Sequence, residues 1–83
     1  MIARYDIETA YTFFHQKERV YAHSTLQWQR DDIEVAIADY VDVMNPELYK
    51  LLADGRQDFL RDHRRFSTDI AQAVAQLEKL CFG

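Results

Sequence analysis

The residues of this 83-residue chain best suited to chemistry are three histidines, one cysteine and scattered carboxylates. His15 and Glu18 stand three apart, so on a helix both point the same way. Carboxylate-bridged metal bundles use the order Glu-x-x-His, with further glutamates from facing helices. Here the order is reversed and no second copy occurs. His23 lies eight residues beyond His15, and the next ligand-type cluster is Asp58, Asp62 and His63. His15 and His23 therefore read as surface or partly buried histidines, and no metal or cofactor is expected.

Covalent and hydrolytic chemistry finds little footing. Cys81 falls on an apolar stripe, where a free thiol behaves as a small hydrophobe. The chain has no Gly-rich phosphate loop, nucleophile elbow or Cys-x-x-Cys. The pairs Asp31-Asp32 and Asp58/Asp62 read as helix caps and solvated faces. The expectation is a protein that is not an enzyme.

Charge and aromatic content carry more. Fourteen acidic against ten basic side chains give a net charge of −4, unevenly spread. Residues 31–54 hold seven acids against Lys50 alone, a local balance of −6. Residues 55–66 hold Arg56, Arg61, Arg64 and Arg65 against two aspartates, a balance of +2. An acidic segment docking on a basic one, within one chain or between two, would suit this division. The basic stretch also raises an alternative, a nucleic-acid-associated regulator using residues 56–65. The acidic overall field and the missing turn glycine and basic recognition face argue against nucleic acid.

Aromatics crowd the first half. Aromatic side chains recur in binding hot spots because they join large buried area to a polar tip. The interface candidates are Phe13, Phe14, Tyr21, Trp28, Tyr40, Phe59, His63 and Phe66. Adjacent Phe13 and Phe14 lie about 100° apart around a helix. Either one packs inward and the other meets a partner, or both belong to a wide apolar face within one chain. His63 interrupts an apolar seam, where a polar residue sets register or partner choice. Glu18 is its natural partner, and protonation would then couple association to pH.

The elements that position these groups read as helices. Only Gly55, Gly83 and Pro46 punctuate the chain, too few for hairpins. Phe59, His63, Phe66, Ile70, Ala73, Leu77 and Leu80 step by four and three, a heptad seam predicting one long C-terminal helix. Arg61, Asp62, Arg64, Asp69, Gln72, Gln76 and Lys79 fall between them and face water. Ser67 and Thr68 offer a second start with Asp69 in the first turn, but the stripe keeps its phase through them. Asn45-Pro46-Glu47 marks a helix start, with Leu48, Leu51 and Leu52 as its apolar face. Asp54-Gly55 more readily stops that helix than kinks it. Ile33, Ile37, Tyr40, Val41 and Met44 share one helical face, with Asp31 and Glu34 resembling a capping box. Upstream, Ile7, Tyr11, Phe14, Glu18 and Tyr21 keep helical spacing. Ser24-Thr25-Leu26-Gln27 is a second capping-box candidate, so residues 6–44 form one helix or two.

The expected fold is all-α: a small antiparallel bundle of three to four helices with a long C-terminal one, in a single domain over residues 1–83. Small domains bury only about 60–65 % of their unfolded surface, which favours a homodimer. No apolar run reaches the roughly 18–20 residues a bilayer needs, and Met1 to Asp6 lack a signal-peptide pattern. The lone cysteine excludes an intramolecular disulfide and suits the cytoplasm. The expected function is a non-catalytic protein-interaction or assembly module.

Overall fold

The computed structural model describes residues 2–83, leaving Met1 and its share of the leader reading outside. The described residues form four α-helices and no strand: α1 (Arg4–His23), α2 (Gln27–Val43), α3 (Pro46–Ala53) and α4 (Phe66–Phe82). A 3-10 turn at His63–Arg65 leads into α4. No helix among them is long and apolar enough to cross a membrane.

Local chemistry explains where each helix stops. Ser24 is extended, and its Oγ accepts from Leu26 N at 3.2 Å and donates to Gln29 Oε1 at 2.6 Å. That side chain offers the backbone a turn in place of a helical bond, so residues 6–44 divide into two helices. Neither capping box forms as read. Leu26 occupies the N-cap of α2, and Asp31 lies inside the helix, accepting from Gln27 Nε2 at 2.8 Å. Nothing from Gln27 to Arg30 disfavours helix, so α2 begins ahead of the acid. Asn45 does cap α3. Its Oδ1 accepts from Glu47 N at 2.9 Å and Leu48 N at 3.3 Å, with Pro46 in the first turn. Asp54 and Gly55 follow in the left-handed region, at φ 51° and 85°, and end it.

The C-terminal rod is shorter than its seam. Residues 56–62 form turns, Leu60 takes a left-handed φ of 63°, and α4 starts only at Phe66. Asp69 supplies the cause. Expected to face water, it is fully buried instead. Oδ2 accepts from Leu60 N at 3.1 Å, while Oδ1 takes the Arg56 guanidinium. A buried carboxylate needs such partners. Meeting them folds residues 56–62 back over the first turn of α4. Tyr49 fastens the same loop by donating to Phe59 O at 2.8 Å. Gln72 also turns inward and donates to Leu52 O at 3.1 Å.

Helices α1 and α4 run antiparallel. Tyr21, late in α1, packs its ring 4.9 Å from Phe66 at the start of α4, while Arg4 Nη2 donates to Cys81 O at the far end. Between them Ala10 and Phe14 meet Ile70, Ala73 and Leu77, all at most 1 % exposed. Ile33, Ile37 and Val41 bury one face of α2, as the helical reading of residues 31–44 requires. Phe59 and Leu60 complete the core from the loop rather than from a helix.

Candidate functional site

Where α2 ends and α3 begins, the chain leaves a groove of about 500 Å³. Val41, Met44, Pro46, Tyr49 and Ala53 make it apolar, and Asp42, Lys50, Arg56, Gln57 and Arg61 stand around it. The size falls within the range of ligand clefts. Two helix boundaries create it. The Asn45 cap swings α3 away from α2, and the Asp54-Gly55 stop sends the arginine loop across the opening.

Carboxylates of the same chain hold the basic rim in place. Arg61 Nη2 lies 2.6 Å from Asp42 Oδ1. Arg56 pairs with buried Asp69 and, at 3.2 Å, with Asp58, while its guanidinium sits over the Phe59 ring. The hydrogen bond Arg56 donates to Asp69 pushes the Arg56 pKa up, and the one Arg61 donates to Asp42 does the same for Arg61. Both stay charged. Lys50 has no ion-pair partner among the described residues. The groove can therefore take an apolar group carrying negative charge.

The four arginines do not form one basic face. Arg56 turns to Asp69 and Arg61 to Asp42, and Arg64 Nε lies 3.8 Å from Asp62. The acidic-on-basic docking read from charge is realised within the chain through Arg61–Asp42 and through His63. Arg65 is exposed and takes no carboxylate among the described residues.

His63 pairs with Glu34 rather than Glu18. Its Nδ1 lies 2.8 and 2.9 Å from the two Glu34 oxygens. The hydrogen bond and charge of Glu34 raise the imidazole pKa above its ordinary value. Tyr21 donates to Glu34 Oε2 at 3.1 Å, and burial, followed by Glu34, raises the phenol pKa. The break before α4 explains the exchange of partners. Lying on the 3-10 turn rather than on α4, His63 faces α2, and most of its side chain is exposed.

The aromatic candidates divide sharply. Phe14, Tyr21, Phe59 and Phe66 are buried and have no surface left for a partner. Phe13 is half-buried and stacks on Tyr40 at 4.3 Å, the wide apolar face within one chain. Trp28, 62 % exposed, and His63 both remain open to solvent. The groove and the Asp69 node escaped the sequence reading. Their one advance signal was the alternative helix start at Ser67-Thr68-Asp69. Of the supposed ligand pair, His15 stacks on Tyr11 at 5.4 Å. Comparison with protein-family models, curated proteins and solved structures finds no match to this chain.

Proposed function

We propose that this chain is a non-catalytic interaction and assembly module, acting as one domain over residues 1–83, that associates with a second copy of itself. The carrying observation is a pair of complementary surfaces on one chain. One is the groove, where Lys50 is the rim cation without an ion-pair partner among the described residues and Arg56 and Arg61 are held by Asp69 and Asp42. The other is the outer side of α2, where Trp28, Val35 and Val43 are 62 %, 61 % and 81 % exposed. Exposed Asp32 and Asp39 share that side, and all five residues fall within about 80° of arc.

The stripe has the character of an amphipathic acidic helix, and the groove has the character of its receptor. In a twofold pair each copy's stripe meets the other's groove, with the tryptophan as hot spot. Rim charges would set orientation and salt dependence more than raw affinity. A reducing cytoplasm suits the lone thiol of Cys81. The test is light scattering after size exclusion at rising concentration. The expected mass is twice 9.9 kDa, reverting to one copy in Trp28→Ala and in Lys50→Glu and loosening with added salt. A strict monomer at high concentration refutes the proposal.

A further inference from the structure

The geometry points to a binding site for a first-row divalent metal of the zinc type, formed by Asp31, Glu34 and His63 where α2 meets the 62–65 turn. It is independent of the groove and of self-association. Asp31 and Glu34 stand three apart on α2 and share a face. His63 arrives from 29 residues beyond Glu34, held there by the turn that Asp62 caps by accepting from Arg64 N at 3.0 Å. One ligand atom from each of the three lies within 4.8 Å of the others.

The distances suit a small ion. Ligands about 2.0–2.2 Å from a tetrahedral centre stand about 3.3 Å apart. The His63–Glu34 contact at 2.8 Å needs to open by only about half an ångström, and Asp31 needs to close in. Asp31 and His63 are both exposed, so packing does not oppose those moves. Glu34 is held from behind by Tyr21, itself only 5 % exposed, whose hydroxyl donates to Oε2. Gln27 Nε2 steadies Asp31 in the same way at 2.8 Å. Outer hydrogen bonds of this kind orient ligands before the ion arrives.

The donor set selects the metal. One imidazole and two carboxylates suit zinc, cobalt or nickel. Calcium and magnesium want all-oxygen shells, and the soft thiolate sites lack a counterpart here. Water fills the remaining positions, since the site opens to solvent. Arg30 and Arg64 line the same recess and oppose a cation, which weakens the site. The ion's structural effect is to staple α2 to the turn before α4.

The test is calorimetric titration of the full chain with Zn2+ at about pH 7.5, where binding must release any proton the imidazole holds, with Co2+ absorption as a second probe. Expected is one ion per chain, a tetrahedral or five-coordinate cobalt spectrum, and affinity at least about tenfold weaker in His63→Ala and in Glu34→Gln. His15→Ala and His23→Ala leave it unchanged. Amide resonances of the native chain around residues 31–34 and 62–65 shift on zinc addition, a readout that needs no variant. No binding up to millimolar zinc, full affinity in His63→Ala, or resonance shifts centred on His15 and His23 would overturn the assignment.

Discussion

Replacing Asp69 by alanine tests the central packing decision of this fold. The carboxylate is fully buried and has two partners, the Leu60 amide and the Arg56 guanidinium. Removing it strands the amide of a residue only 1 % exposed, at about 1–3 kcal/mol for an unsatisfied buried donor. The guanidinium is less exposed to the loss. Its side chain keeps 21 % of its surface and a second carboxylate, Asp58, at 3.2 Å, so the stranded amide dominates the loss. The amide alone predicts a loss of roughly 1–3 kcal/mol. A domain of this length has only about 4–12 kcal/mol in total. Asp69→Asn keeps one acceptor oxygen for Leu60 but sets an NH2 against the Arg56 guanidinium, donor to donor, so its loss falls on the Arg56 pair rather than on the Leu60 amide. Urea unfolding followed by helical circular dichroism reads both. At a slope of about 1 kcal/mol per molar, Asp69→Ala moves the midpoint down by roughly 1–3 M, with the slope preserved. Arg56→Ala added to Asp69→Ala should cost less than Arg56→Ala alone, because the two groups are coupled. If Asp69→Ala costs under about 0.5 kcal/mol, as an ordinary surface substitution does, residue 69 faces water and the folded-back loop is wrong.

Two further expectations concern single contacts. Glu34, helped by Asp31 and Asp62, raises the folded-state pKa of His63. The stability from this pair is fully present below the unfolded value of about 6.5. It is lost as pH rises through the higher folded value. With a chelator present, the destabilisation by His63→Ala should therefore be larger near pH 6 than near pH 9. Equal losses at both would count against the pair, and Arg30 and Arg64 in the same recess bound its size. Asn45→Ala removes the acceptor for two amides at the start of α3 and should cost about 1 kcal/mol in the urea midpoint. Asn45→Ser, which keeps an acceptor oxygen at the cap but, like alanine, gives up the 3.2 Å bond to Asp6, should recover much of it; equal losses in the two variants would refute the capping account.

Readability from sequence tracks how local each physical cause is. The Asn45-Pro46 start and the Asp54-Gly55 stop act over a few residues through backbone geometry, and both occur where the sequence places them. Ile33, Ile37 and Val41 repeat with the helical period and bury together. Periodicity misled at Phe59, which keeps the phase of the α4 stripe yet reaches the core from a loop. A side chain inserted from outside fills the same space as one more helical turn, so spacing cannot separate the two. Asp69 was hidden for a related reason. An acid among apolar neighbours marks the solvent side of a helix unless a distant donor claims it, and Arg56 lies 13 residues upstream. The exchange of Glu18 for Glu34 beside His63 follows from that single error. With the helix starting at Phe66, the imidazole swings onto the turn and meets α2. The candidate metal cluster, the long-range ion pairs within the chain and the groove all depend on the same inward-facing carboxylate, which lets the arginine loop close over α3 instead of extending α4.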